Sequence, residues 1–507
     1  MYHSAEECWS KLEADREPVL DRSERFASLT VPKLLLPTGF QLSTTDMTND
    51  YQSLGAQALN HVTNKLMLAM FSPARPFFKV QLGEKTVKDL EANGLDEMQL
   101  VSGLAAMERK ASQQIDLLAQ RPKLYQICRH LVGLGNVLAY FGKEMIRVFS
   151  LRHFCVKRNT DGSVHTLIVK EKVKYDELDT KIKEHMATIG RREADDHECS
   201  HYRLLTRTPG GDMVLAQFID TVRLPKEFDG KWPEADCPWK VLVWDLADEA
   251  DYATGLVEEY SADLETLSIL AEAVVDGAIV GTEVRYGIRP ASNLTADDAN
   301  KSENGDFLPA SPDDIGTILA DNSKAITVAD SVMQRYERRI GTAFLMNSAV
   351  TRDAERVTAE EIRITAQELE TAYGGVYSAL APQLQKPVAE WGLARAGTDI
   401  KGADVKVMVI TGLEALSRNG ELDNLRLALG DLAMLTTVPP ELQARLKWNN
   451  LVTYVGAGRG TPLADFVMND EEFQAKMAHQ QTQRVNEASA TAAGETQAAP
   501  PQPTPQG

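Results

Sequence analysis

From Thr358 onward, apolar residues return every three or four positions for more than thirty residues: Ile362, Ala366, Leu369, Tyr373, Tyr377, Leu380, Leu384, Val388 and Trp391. This spacing predicts one long α-helix over 358–397, about 50 Å if straight and far beyond the usual three turns. It opens on Thr358, Ala359, Glu360 and Glu361, a capping box in which the Thr hydroxyl takes an orphan N–H and Glu361 reaches back. Gly374, Gly375, Pro382 and Pro387 predict bends along it. A helix of this length spans the body it belongs to, so the rest of the chain must be arranged around it.

The remaining pattern is mixed, and the fold class it implies is α+β, predominantly helical. Residues 1–30 read as a polar helix with a few apolar anchors. Residues 51–71 are amphipathic, with Leu54, Ala58, Leu59, Val62, Leu66 and Ala69 on one face, and a further helix is expected over 96–121. Strand alternation takes over at 146–158 and 164–173, around the turn 159–162, and again at 201–208 and 213–222, around Pro209, Gly210 and Gly211. Residues 405–473 are mixed, with a strand at 406–410 and a helix at 419–435. The sequence after Asn486 lacks large apolar residues and is expected to be disordered.

Residues 245–283 hold eleven acidic residues and no Lys or Arg. Read as a continuous helix, Glu258, Glu265, Glu272, Asp276 and Glu283 fall within roughly 40° of one another, and Leu256, Tyr260, Leu264, Leu267, Ala271, Val274 and Ala278 lie opposite, with Asp263 at their margin. Such a stripe is either a solvated face or the anionic wall of a pore. The small residues Ala271, Ala273, Gly277, Ala278 and Gly281 permit close packing of such helices in a ring. Residues 285–321, rich in Asn, Asp, Ser, Pro and Gly, read as an irregular insert. Helical pattern resumes after Asn322, with Arg335, Arg338 and Arg339 extending from it. A polar interruption follows at 347–357.

Composition narrows the functional classes. The chain has 73 Asp and Glu against 54 Lys and Arg, a net charge of −19, which argues against tight wrapping of DNA but not against DNA sliding past. Five scattered cysteines without a C-x-x-C pair give no disulfide framework or zinc ribbon. The N-terminus is too polar for a signal peptide, and the best apolar run, 66–71, is too short to cross a membrane. No cofactor motif is present, and the absence of G-x-x-x-x-G-K-[ST] excludes a P-loop ATPase. His197, Glu198 and His201 match H-E-x-x-H, but a strand, which the sequence after His201 suggests, would set the histidines about 13 Å apart, too far for one metal. No catalytic or metal residue is assigned, and the expectation is a protein that is not an enzyme.

Three segments carry a family resemblance: QSLGAQALNHVTNKLMLAMFSPARPFFKV at 52–80, FLMNSAVTRDAERVTAEEIRITAQELETAYGGVYSALAPQLQKPV at 344–388 and ITGLEALSRNGELDNL at 410–425. In this order, over about residues 20–480, the chain resembles the portal (head-to-tail connector) proteins of short-tailed podovirus bacteriophages. The resemblance implies a ring of about twelve subunits with closed symmetry. It implies a wing over 1–255, a first stem helix over 256–283, a clip over 284–321 and a second stem helix over 322–346. A tunnel loop over 347–357, a long bent wing helix over 358–397, a crown over 398–480 and a disordered tail over 481–507 complete the order. Double-stranded DNA would pass, weakly and without sequence preference, along the acidic residues Glu258, Glu265, Glu272, Asp276 and Glu283, with Arg352 and Arg356 in the tunnel loop as phosphate contacts or partners of nearby carboxylates. Arg335, Arg338 and Arg339 form the basic side of the second stem helix. Arg285, Arg289, Lys301 and Phe307 are clip residues placed to dock the terminase motor and later the tail adaptor and tail proteins. Capsid and scaffolding proteins are the other implied partners, at a unique vertex of the virion, after assembly in the host cytoplasm. A tail adaptor ring and a zinc metallohydrolase built on 197–201 are the alternatives.

Overall fold

The computed structural model describes residues 4–37, 39–40, 50–72, 77–83, 97–191, 193–282, 285–318, 323–346, 359–397 and 405–409. All belong to the first of the chain's two units, Met1–Gly412.

Helix α1 (Ala5–Leu29) starts where Ser4 Oγ accepts the Glu7 N–H at 3.1 Å, with Glu6 and Glu7 at the positive end of the helix dipole. Its inner stripe, Cys8, Trp9, Leu12, Arg16 and Leu20, is buried. Arg16 is the unexpected member. Its Nη1 donates to the carbonyls of Leu151, Arg152 and Phe154 at 3.1, 2.9 and 3.4 Å, and its Nη2 pairs with Glu13 at 3.2 Å. Both Nη atoms are thus engaged, while the buried Nε has no partner, and the side chain fixes the turn at Leu151–His153.

That turn corrects the expectation of one strand over 146–158. The segment is two strands in two sheets, Ile146–Phe149 and Phe154–Arg158, because the chain turns between them over the Arg16 side chain. The first lies in a three-stranded antiparallel sheet with Asn136–Phe141 and Trp239–Val243. The second begins a six-stranded antiparallel sheet with Val164–Lys174, Glu198–Arg207, Asp212–Ile219, Val222–Arg223 and Gly230–Pro233. Leu167, Leu205 and Leu215 stand in register across it and are buried. Both hairpins read from the sequence are present.

The main core is built on α2 (Leu54–Met70), α3 (Glu97–Leu117) and α4 (Arg121–Leu134). Ala58, Leu59, Val62, Leu66 and Met70 of α2 and Leu124, Ile127, Cys128 and Leu131 of α4 all have 0% exposure. Each such large side chain contributes about 1.5–3 kcal/mol by leaving water. Helix α4 stops at Gly135, whose φ of +75° and N–H bond to Leu131 O at 2.9 Å make a left-handed cap. A Cβ there would sit 2.4 Å from the Thr254 carbonyl carbon, so glycine is required twice over. Helix α5 (Thr180–Thr188) lies outside this core, with Ile182 and Met186 in a smaller one.

Beyond residue 255 come α6 (Ser261–Thr282), α7 (Ser323–Ala343) and the long helix. The long helix is present with its bends where glycine and proline placed them. It runs as α8 (Ala359–Tyr373), a reversal of φ to +54° at Gly374, α9 (Gly375–Leu380), a π-helical turn Ala381–Gln385 containing Pro382, and α10 (Lys386–Arg395). Two buried bonds tie it to the core: Gln385 Nε2 donates to Met70 O and Trp391 Nε1 to Gly142 O, both at 2.7 Å. The strand expected at 406–410 is present as Val405–Val409, and it pairs antiparallel with Phe78–Leu82. The body thus contains more helix than strand, with the sheets and long helix enclosing one main core.

Candidate functional site

The least buried part of the described chain is a limb made of α6, the 285–318 insert and α7. The sequence makes α6 from Ala, Leu, Ile, Val and Gly with acidic residues between them and no basic residue. It makes α7 with an apolar face, Met333, Tyr336, Ile340 and Phe344, opposite Lys324, Arg335 and Arg338. The helices run antiparallel. Arg339 Nη1 donates to Asp263 at 3.0 and 3.3 Å, and its guanidinium lies 4.9 Å from the Tyr336 ring centre. Farther along, Gly277 faces Ile326, close enough that a Cβ would come within 3.4 Å of the isoleucine. Leu264, Leu267 and Ala271 of α6 are buried, as are Ile340 and Phe344 at the other strand of the limb's base. The far halves bury no large side chain among the described residues.

The acidic residues do not share one fate. Glu258 is not in α6: a single turn, Leu256–Glu259, ends at Tyr260 before α6 begins, so the stripe is broken at its first member. The N-terminal helix reaches the base of the limb, where Arg22 Nε stands 3.5 Å from Glu258 and Arg25 bonds Glu265. Asp50 accepts from Ser268 Oγ, and Tyr51 donates to Glu272. The Glu272 carboxylate, with Asp276 beyond it, pushes the Tyr51 hydroxyl above its ordinary pKa. No Lys or Arg among the described residues pairs with Glu272 or Asp276, and both are exposed. Glu283, Arg352 and Arg356 lie outside the described residues, as do the expected tunnel loop and all but 405–409 of the expected crown and tail.

On α7, Arg339 is held by Asp263, whereas Arg335 and Arg338 are exposed without a carboxylate partner among the described residues. The insert is a two-stranded antiparallel ladder, Arg285–Ile288 with Ile315–Ile318, and a short helix, Ala296–Lys301, capped by Thr295. Lys301 stands 3.6 Å from Asp297, Arg289 donates its backbone N–H to Asp314 O at 3.0 Å, and Phe307 is fully exposed at 102%. Tyr286 is exposed as well.

The contacts that the sequence concealed are Arg22, Arg25, Asp50 and Tyr51. Nothing local marks them, since their partners lie more than 200 residues away. Asp263 did carry a signal: a carboxylate at the margin of an apolar stripe calls for a cation, and Arg339 supplies it.

The H-E-x-x-H match is not a metal site. His201 lies inside strand Glu198–Arg207, buried, with Nε2 2.9 Å from Gln217 Oε1, and Glu198 stands 3.5 Å from Lys172. Burial, then the nearby Arg203 charge, lowers the His201 pKa to about 4. Among the described residues no three His, Cys, Asp or Glu side chains are grouped to hold a metal ion. No described helix is long and apolar enough to cross a membrane.

The family model described as bacteriophage head to tail connecting protein matches residues 2–467. The portal protein of Enterobacteria phage SP6 is 32% identical over 475 residues, covering 93% of this chain and 91% of its own. The portal protein of Pseudomonas phage phiKMV is 31% identical over 491 residues, covering 95% of each. Among solved structures, the neck of an empty gene transfer agent particle aligns with 81% of this chain and 90% of its own at 10% identity, with a TM-score of 0.37.

Proposed function

The chain belongs to the bacteriophage head-to-tail connecting protein family, the portal proteins, and on that premise we propose that about twelve copies close into a ring whose central opening passes the phage genome during packaging and ejection. The observation that carries this reading is the extent of the match, which runs in one order from residue 2 to 467. The limb supports it. In this assignment the body through residue 255 is the wing, α6 and α7 are the stem, the 285–318 insert is the clip, and α8 to α10 are the bent wing helix.

The role is structural rather than catalytic. Double-stranded DNA in such an opening meets a chain of net charge −19. Excess negative charge at short range repels phosphate, so no register on the duplex is strongly favoured and the contact stays weak and screened by salt. Arg22 and Arg25 stand against Glu258 and Glu265, so among the described carboxylates of the α6 stripe those without a Lys or Arg partner are Glu272, which Tyr51 meets, and Asp276. At the clip, Phe307 and Tyr286 offer exposed aromatic anchors beside Arg285, Arg289 and Lys301. That surface suits exchange of partners, the packaging terminase first and the tail adaptor and tail proteins later. Capsid and scaffolding proteins would contact the body at the virion's unique vertex, with assembly in the host cytoplasm.

Negative-stain microscopy and light scattering of the purified full chain test the reading. The expected result is a closed ring with an opening wide enough for a DNA duplex. A monodisperse monomer at every salt concentration and protein concentration would overturn it.

A further inference from the structure

The 285–318 insert holds a covalent liability. The sequence contains three Asn-Gly pairs, at 93–94, 304–305 and 419–420, and Asn304–Gly305 is the one among the described residues. It lies just past the short helix Ala296–Lys301, at the tip of a tight turn. The Asp306 N–H donates to Glu303 O at 3.2 Å, and the Glu303 N–H donates to Asp306 Oδ2 at 2.7 Å. Between them Gly305 sits at φ +105°, a conformation that glycine adopts without strain. The turn is exposed throughout, and the fully exposed Phe307 follows it directly.

Two features leave this pair open to reaction with itself. Neither the Asn304 side-chain amide nor the Gly305 N–H has a hydrogen-bond partner among the described residues. Asparagines elsewhere are held: Asn136 Nδ2 donates to Leu134 O and Ala253 O at 3.2 and 2.7 Å, and Asn159 Nδ2 donates to Ser163 Oγ at 2.9 Å. The second feature is space. Glycine has no Cβ, and one built at Gly305 would meet nothing within 4 Å, so no side chain crowds the approach of the Gly305 nitrogen to Asn304 Cγ. Asn293 and Asn300 of the same insert are exposed too, but the residues after them are Leu294 and Lys301.

We propose that Asn304 is a site of spontaneous modification, converting through a cyclic imide with Gly305 into aspartate and isoaspartate. The Gly305 nitrogen bonds to Asn304 Cγ, the Cγ–Nδ2 bond breaks, and Nδ2 leaves as ammonia with the proton that the Gly305 nitrogen gave up. Water then opens the ring. Attack at Cγ leaves an ordinary aspartate, and attack at the main-chain carbonyl leaves isoaspartate, with the chain running through Cβ. No oxidant or other reactant is needed. Either product sets a new carboxylate between those of Glu303 and Asp306. Isoaspartate also lengthens the main chain by one carbon inside the turn that those two residues close, so the turn opens and Phe307 is re-aimed. The proposal is independent of the ring reading: it concerns the covalent state of the insert, and with it how long an exposed aromatic anchor keeps its first geometry.

The test ages the folded full chain in mildly alkaline buffer, digests samples at acid pH and follows each asparagine by peptide mass spectrometry. Isoaspartate is read separately, by transfer of labelled methyl groups with an isoaspartyl O-methyltransferase. Asn304 is expected to convert at least tenfold faster than Asn293 and Asn300, with the methyl label on the same peptide, and Asn304→Gln is expected to remove that label. Conversion at Asn304 no faster than at Asn293 and Asn300 would overturn the site. Conversion to aspartate without any isoaspartate would overturn the cyclic route. The local consequence is read by brief chymotrypsin treatment: cleavage after Phe307 is expected to change at least twofold on ageing the wild type and to stay constant in aged Asn304→Gln. Unchanged cleavage in fully converted protein would overturn the re-aiming of Phe307.

Discussion

The body and the limb spend their apolar residues differently. In the body, α2 and α4 together place eleven side chains at 0% exposure. In the limb, more than half of α6 is apolar, much as in α2, yet it buries only Leu264, Leu267 and Ala271, all in its first half. The body holds what a single copy needs to fold. The limb holds surface that a single copy leaves open, and its stability inside one subunit comes from the base, where Ile340 and Phe344 join the core and Arg339 pairs with Asp263.

The widest gap between the regions should appear on truncating an apolar side chain in each. Leu131→Ala in the body removes a fully buried side chain and is expected to cost about 2–5 kcal/mol, read as a lower denaturant midpoint. If it costs no more than a surface change, the core assignment fails.

Acid separates the regions next. Burial holds both His130 and His201 down to about 4, from an ordinary value of 6.5. Between those values the unfolded chain binds more protons than the folded one, so stability falls as pH drops from about 6.5 to about 4, with a slope of up to about two protons, and these groups add no slope above that window. Residues 256–346 contain no histidine. Denaturant midpoints at pH 7 and pH 5 should therefore fall for the body, and His201→Gln should reduce the slope. An unchanged slope in that variant would mean that His201 titrates normally.

Gly374→Ala forces a side chain onto a residue at φ +54° and should cost about 1–2 kcal/mol, seen as a lower melting temperature. An unaltered melt would show that the bend relaxes without it. The smallest effect is expected at Ile279→Ala, within about 0.5 kcal/mol in a non-assembled chain. A large loss there would erase the contrast between body and limb.

How much of this was legible in the sequence follows the same division. The long helix and its bends were readable because capping, periodicity, glycine and proline are all local. The hairpins were readable because turn residues stood between alternating runs. The division of 146–158 was not, since it depends on Arg16, a charged residue in a helix more than 130 positions earlier. At the candidate site, the acid stripe was visible as a pattern, but its break at Tyr260 and its neutralisation by Arg22 and Arg25 are long-range events. Spacing along a helix says which residues share a side; it carries no information about which distant helix lies against that side.

The antiparallel register of the limb has a consequence for how such a chain can vary. Because α6 departs and α7 returns at neighbouring points of the base, reach and anchorage are separately adjustable. Adding two turns, about seven residues, to each helix would carry the insert about 10 Å farther out while every contact at the base stayed in place. The length of the limb and the identity of what meets its outer end are then free to change without any revision of the core that holds it.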